Sequence, residues 1–354
     1  MPITVGDIEV FLGPVEHGGP DDLLAPIIAF IDRARSRQKL MIAVQEVDHP
    51  QIAEAIIRAR LRGVTIDLVV EQSYLLGGRR PDDVAAALTA GGKYEINRQL
   101  FNAILRATVD VKVDFNPDIF HQKFMVLGNR VLTGSTNFTT TGVTKNLNHI
   151  VVVNDAKVAN AYKKEFADIN RGNFGKQSTA HGPAPREVDV SGVRVKPLFA
   201  PDHAPEMEIM KQILKAKERI DFAVFTFSKS SGIDDALIAA KRNGIEINGV
   251  LDRRQANQSW AAKDALKAAD IGLHVAGGGR MGKVHHKLMT IDDQVSIFGS
   301  FNYTEPANKS NDENILIVGD ADTDDANSRA LQGTIAQAAR GEIDRIIREH
   351  GEIV

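Results

Sequence analysis

The 354-residue chain contains no cysteine. That excludes disulfide cross-links, thiolate catalysis and metal sites built on sulfur ligands. It has no basic surplus either, since 43 Lys and Arg stand against 46 Asp and Glu, a formal net charge of −3. Binding to a polyanion must then rest on local clusters, for which Arg79-Arg80, Arg253-Arg254 and Arg280 to Lys287 are the candidates. Aromatic residues make up 6% of the chain, with a single Trp, which leaves few platforms for stacking bases. There is no apolar run of about eighteen residues that could span a bilayer. Met1 to Gly13 shows no basic segment followed by a long apolar stretch, so a secretory signal is not expected and a cytoplasmic location is the default.

What the chain does have is a repeat. His121-Gln122-Lys123 is followed by an apolar run, a Gly128-Asn129 turn, and Gly134-Ser135-Thr136-Asn137. His285-His286-Lys287 is followed by an apolar run, an Asp292-Asp293 turn, and Gly299-Ser300-Phe301-Asn302. Histidine and asparagine are 16 residues apart in the first copy and 17 in the second. If each His-x-Lys lies on a strand, the two-residue spacing points imidazole and ammonium at one small volume, where a phosphate fits. A tight turn and a returning strand then bring Ser and Asn back beside the histidine.

The surrounding segments repeat as well. Val10 to Pro14 matches Pro197 to Pro201, and helical patterns from Pro26 to Arg35 and Met207 to Lys217 follow them. Strands Leu40 to Val44 and Ile220 to Phe227 come next, then helices from Pro50 to Gly63 and Ser231 to Arg242, then strands Val64 to Glu71 and Ile245 to Asp252. Strand, helix and strand in about thirty residues predict parallel neighbours joined by a right-handed crossover. The first half carries about 17 extra residues before its motif, with helical patterns over Pro81 to Ala90 and Arg98 to Arg106. Each half closes with a strand and a helix: His149 to Val153 then Ala156 to Asn170, and Asn314 to Val318 then Asp324 to His350. Gly172 to Gly192, rich in Gly, Pro and Ser and without periodicity, reads as a linker that contains His181. The predicted organisation is an N-terminal domain 1–178, a linker 179–192 and a C-terminal domain 193–354. The expected fold class is α/β, two similar α-β-α sandwich domains with mixed, largely parallel sheets, related by a pseudo-twofold with the active site between them.

Two imidazoles, two ammoniums and two amides suit a phosphodiester. One ring can attack phosphorus while the other protonates the leaving oxygen, splitting the displacement into two steps through a phosphohistidine. Lys123, Lys287, Asn137 and Asn302 would hold the non-bridging oxygens. Positive charge supplied by side chains makes a metal or other cofactor unnecessary for this chemistry.

The paired pattern resembles the phospholipase D superfamily, whose HxKxxxxD motif and following GSxN occur twice per active site. The second copy matches at His285, Lys287, Asp292, Gly299, Ser300 and Asn302, and Asn311 to Asn314 is similar to the family's downstream acidic element. Phe225 to Ser228 and Gly244 to Asp252 resemble the small endonuclease branch. The first copy departs from the pattern: Gly128 replaces the Asp, which a hairpin one residue shorter explains, and Asn148 stands where the second half has Glu313, each 11 residues after its asparagine. The resemblance implies that each downstream side chain meets the histidine of the other motif, so that Glu313 faces His121 and Asn148 faces His285. It also implies that Ser135, Ser300 and Asp292 support the site. A carboxylate behind His121 favours it as nucleophile, and an amide behind His285 leaves that ring to act as acid. The remaining histidines, His17, His49, His149, His203, His274 and His286, read as structural. The resemblance implies a nuclease acting on nucleic acid, with a phospholipase D or transphosphatidylase acting on phospholipid headgroups as the alternative. No stable membrane anchor is expected, and with both motifs in one chain a monomer suffices.

Overall fold

The computed structural model describes residues 2–76, 90–177 and 182–354. Arg79-Arg80, most of the Pro81 to Ala90 helical pattern and His181 lie outside the described residues.

The first half contributes β1 (Ile3–Val5), β2 (Ile8–Gly13), β3 (Lys39–Val44), β4 (Thr65–Glu71), β5 (Asp110–Asp114), β6 (Lys123–Leu127), β7 (Arg130–Gly134) and β8 (Asn148–Asn154). They form one sheet in the order β1-β2-β8-β7-β6-β3-β4-β5. The second half contributes β9 (Val188–Val190), β10 (Val193–Ala200), β11 (Arg219–Val224), β12 (Glu246–Asp252), β13 (Gly272–Ala276), β14 (Lys287–Ile291), β15 (Val295–Gly299), β16 (Glu313–Val318) and β17 (Glu352–Ile353). Their order is β17-β13-β12-β11-β14-β15-β16-β10-β9. From β2 to β5 and from β10 to β13 the two sheets have the same topology.

Both sheets are mixed, but the expectation that they are largely parallel is corrected. Parallel pairing is confined to β3-β4-β5 and β11-β12-β13, where helices such as Pro50–Leu61 and Ile233–Arg242 make the crossovers. The motif strands instead return through short turns, which can join only antiparallel neighbours. The linker also needs correction, because its last part is strand β9: Val188 and Val190 point inward on either side of exposed Asp189 and pair with the edge of β10.

Central strands such as Lys123–Leu127 and Lys287–Ile291 are buried at every position, as apolar strands covered on both faces must be. One apolar layer lies outside the first sheet, around Ile27, Ile56 and Ile66, and another outside the second, around Ile213, Leu237 and Ile247. A third is shared by the two halves and includes Phe124, Tyr162, Phe199, Phe298 and Ile343. Helices Ala156–Ile169 and Ala326–His350, started by side-chain caps from Asp155 and Asp325, fill this layer. The Tyr162 ring packs edge-on against Phe124 of its own half at 5.1 Å and Phe199 of the other at 5.0 Å. The halves are thus welded by a common core rather than joined only by the linker.

Candidate active site

Each motif histidine lies two residues ahead of its strand, not on it as the spacing suggested. The reason is a cross-half contact. The backbone N–H of His121 donates to the Asp312 carbonyl at 3.0 Å and that of His285 to the Leu147 carbonyl at 2.9 Å. Parallel bridges Phe120 to Asp312 and Leu147 to Val284 flank these bonds. Both histidines are therefore pulled from their own sheet toward the other half, into one cleft at the C-terminal ends of the parallel strands.

Across that cleft, His121 Nδ1 lies 2.7 Å from Glu313 Oε2, and His285 Nδ1 lies 2.9 Å from Asn148 Oδ1. Ser300 donates to the same Glu313 oxygen at 2.6 Å, and Ser135 to the same Asn148 oxygen at 2.8 Å. The Asn148 amide nitrogen donates to the Gly142 carbonyl at 2.8 Å, which orients Oδ1 to accept. Both rings thus carry hydrogen on Nδ1 and turn a bare Nε2 toward the cleft. Lys123 and Lys287 each donate to the carbonyl of their own motif histidine at 2.8 Å. Asn137 donates to Gln45 at 3.1 Å, while the buried amide oxygens of Asn137 and Asn302 have no hydrogen-bond partner among the described residues.

Two glycines make this packing possible. Gly134 and Gly299 have φ of +151° and +143°, and a Cβ on them would lie 2.2 Å from the His149 carbonyl oxygen and 2.3 Å from that of Asn314. Only glycine lets the serine after it reach under the histidine. Thr139 and Thr304 then cap the short helices that follow each asparagine.

Burial and mutual repulsion among the cationic groups outweigh the carboxylates that face them. Burial takes the His121 imidazole down to about 4 against the pull of Glu313, and it takes the Lys123 ammonium down to about 7 against Glu313 and Glu46. Burial and then the charge of Lys123 hold Lys287 well below the usual ammonium range. His285 is lowered by burial and then by Lys287, Lys123 and His121, so the charges of both motifs fall on one ring. An arriving anion would relieve this repulsion and restore the protons.

Asp292 is at the other end of β14. With Asp293 it turns the chain at positive φ, and its carboxylate accepts from the N–H groups of Lys217, Glu218 and Arg219 at 2.7, 2.8 and 2.9 Å. It braces the start of β11 and does not reach the cleft. The first copy turns through Gly128 at φ +59° with Asn129, a loop one residue shorter that leaves no place for that Asp.

Sequence reasoning missed two groups. Gln45 and Phe225 occupy equivalent positions just after β3 and β11: Gln45 accepts from Lys123 at 3.4 Å, while Phe225 lies 4.9 Å from the His285 ring and 5.0 Å from the Lys287 ammonium. Below the site, Gln122 and Asn314 pair at 2.7 Å, and the corresponding positions in the other copy hold His286 and His149. Aligning the two copies beyond the motif would have shown both asymmetries.

A family model described as cardiolipin synthase, PLD-like domain, matches residues 27–170 and 209–335, which contain both motifs. The chain belongs to the phospholipase D superfamily. It is an enzyme of the phosphodiesterase type, with one PLD-like unit in each half. Among curated PLD relatives, a phospholipase D of Rickettsia bellii is 29% identical over 182 residues, covering 49% of this chain and 87% of the relative. A mitochondrial cardiolipin hydrolase of Xenopus laevis is 32% identical over 112 residues, covering 32% of this chain and 52% of that protein, so the match spans about half its length. Among solved structures, phosphatidylserine synthase from Haemophilus influenzae Rd KW20 superposes with a TM-score of 0.66 at 13% identity, covering 100% of this chain and 89% of the other. This last likeness shows a shared two-domain PLD fold.

Proposed function

We propose that the chain is a metal-independent phosphodiesterase that works through a phosphohistidine and cleaves a phospholipid headgroup ester. The observation that carries the reading is the crossed pairing, in which each half supplies the side chain that orients the other half's histidine. Such a site is complete only between units 1–178 and 193–354, and one chain suffices to build it.

Nε2 of His121 attacks phosphorus, and the bond to the leaving oxygen breaks as that oxygen takes a proton from Nε2 of His285. His285 acquires that proton when the phosphodiester anion enters and offsets the surrounding cations. The phosphorylated ring of His121 is positively charged, and Glu313, already bonded to Nδ1, stabilises it. Lys123, Lys287, Asn137 and Asn302 surround the non-bridging oxygens, whose charge they hold through the displacement. Water then gives a proton to His285, its oxygen bonds to phosphorus, and the P–N bond breaks. Ser135 and Ser300 position Asn148 and Glu313.

The lipid reading takes support from the names of the relatives and of the matching family, which speak of phospholipase D, cardiolipin hydrolase and cardiolipin synthase. It also takes support from two exposed aromatic side chains whose exposure was not apparent in the sequence. Phe115 is 67% exposed, just after β5, and Trp260 is 42% exposed, in the turn after the short helix Arg253–Ala256 that follows β12. Among the described residues no helix is long and apolar enough to cross a membrane. In this reading the chain, placed in the cytoplasm, meets lipid at a bilayer surface. The nuclease expected from the sequence is the second reading, favoured by the Arg253-Arg254 and Lys283 cluster beside His285.

The test is hydrolysis of phospholipid vesicles, single-stranded DNA and RNA, each with EDTA. Release of headgroup with EDTA present supports the proposal. Cleavage of nucleic acid alone would replace lipid with nuclease, and loss of all activity in EDTA would remove the mechanism. With His285→Ala, phosphate from substrate should accumulate on His121.

A further inference from the structure

A groove of about 630 Å³ begins one side chain away from His285, at Phe225. Phe225, whose ring touches His285, forms its inner end, and Arg253, Arg254 and Lys283 line its sides. The Lys283 ammonium sits 5.2 Å over the Phe225 ring, and its charge reaches the His285 ring. Arg253 is neutralised by Glu352 at 2.5 Å. Arg254 and Lys283 form no ion pair among the described residues. Among the described residues, the one carboxylate lining the groove, Asp252, is occupied with the backbone: it accepts from the N–H groups of Arg254 and Gln255 at 3.1 Å and of Val284 at 3.2 Å. The opposite wall is the loop Gly277 to Gly282, where Gly278 and Gly279 have open space around them and leave backbone accessible.

The equivalent positions of the first half differ. Gln45 stands in place of Phe225, Gln72 and Ser73 in place of Arg253 and Arg254, and Ile119 in place of Lys283. Asn97 and Phe101, from the helix Glu95–Arg106 within the extra segment of that half, close the corresponding corner to a cavity of about 20 Å³. Among the described residues, the equivalent corner on the His121 side is narrower and carries neither of the two cations.

We propose that this groove is the leaving-group subsite, and that Arg254 and Lys283 select a phospholipid headgroup carrying a second phosphate beyond the ester that is cleaved. The inference rests on the lipid phosphodiesterase reading above, in which His285 protonates the leaving oxygen and the departing group must therefore lie on its side of phosphorus. Two unpaired cations beside an aromatic ring hold a second phosphate, while a neutral or ammonium headgroup finds no partner there.

The test compares kcat/KM for cardiolipin and for phosphatidylglycerol, each dispersed in the same neutral detergent micelles so that surface charge does not differ with lipid. Phosphatidylglycerol has the same reacting phosphate and glycerol but lacks the second phosphate. The wild-type chain should prefer cardiolipin, and Arg254→Gln with Lys283→Gln should reduce that preference about tenfold, chiefly through KM. Arg254→Lys keeps the charge and should retain most of the preference, which separates charge recognition from a fold defect. An unchanged cardiolipin-to-phosphatidylglycerol ratio in the double glutamine variant, or a wild type with no preference, overturns the subsite while leaving the lipid reading intact. Cleavage of neither lipid, with cleavage of a single-stranded oligonucleotide, overturns both.

Discussion

Nδ1 of His149 lies 3.1 Å from Nδ1 of His286, the two rings stacked with centroids 5.3 Å apart and tilted by only 11°. The Gly299 N–H donates to His149 Nε2 at 3.0 Å, so that ring carries its hydrogen on Nδ1 and gives it to His286. His286 must then carry hydrogen on Nε2, which faces Glu342 at 3.6 Å, and Glu342 is held by Arg345 through two bonds of 2.8 and 2.7 Å. A proton added to His286 would place two N–H groups head to head, so the pair is neutral by construction. Burial lowers both rings; the charge of Lys287 on His149 acts in the same direction, while on His286 the Glu342 carboxylate opposes burial and Arg345 adds to it.

This pair should make the fold acid-sensitive. A histidine whose folded pKa lies below its unfolded value of about 6.5 contributes full stability above that pH, and the contribution is lost as the pH falls from there toward the folded value. Replacing His149 with Asn and His286 with Gln installs the amide pair the other half already uses. Urea unfolding at pH 7.5 and 5.5 should show a loss of stability across this interval that is smaller by about 1–3 kcal/mol in total in the double variant. His121, lowered to about 4, and His285 remain, so some slope persists.

Glu313 should matter more than Asn148. Glu313→Gln leaves an oxygen for Ser300 and His121 but removes the charge behind the proposed nucleophile. A fall in kcat of about 10²–10⁴-fold is expected in single-turnover assays, with the phosphohistidine forming more slowly. Asn148→Asp would raise the pKa of His285 and shift the pH optimum upward with less loss of rate.

Lys123 should set the alkaline limb of kcat/KM. Burial lowers it to about 7 in the free enzyme, so activity should decline above that pH as the ammonium is lost. Glu46, itself raised by burial to about 7, favours the charged lysine. Glu46→Gln should therefore move the limb to lower pH. A pH profile unchanged by this substitution would separate Glu46 from the site.

Gly134→Ala and Gly299→Ala each force a Cβ into a carbonyl oxygen at a positive φ. A loss of about 1–3 kcal/mol or more is expected in denaturant titrations. Activity should fall with it, as the backbone shift moves Ser135 or Ser300 away from the side chain it positions.

Asp292→Asn should behave differently. It weakens three charge-assisted bonds to backbone, and a loss of about 1–3 kcal/mol is expected. The kcat of the folded enzyme should stay near the wild-type value, because Asp292 is at the far end of its strand. A large fall in kcat without loss of stability would return it to the catalytic machinery.

Spacing along the chain was enough to pair His121 with Lys123 and His285 with Lys287, to separate the halves, and to match Glu313 with Asn148. Those inferences work because strand and helix periods are local properties of the backbone. The helix Pro50–Leu61 and the strand Glu246–Asp252 were legible for that reason, while β9 and β17 were not, being short edge strands that form only once a neighbour offers a free edge.

Three features came only with the folded chain. That the histidines leave their strands depends on backbone bonds to the other half, which no local pattern encodes. The mostly antiparallel sheets follow from how successive hairpins stack, and the narrow corner beside Gln45 from where the helix Glu95–Arg106 packs. Residue identities thus specified which groups could do phosphodiester chemistry. Long-range packing about the pseudo-twofold specified where those groups meet and how far burial shifts their protons, because desolvation and cross-half hydrogen bonds exist only when the two cores have fused.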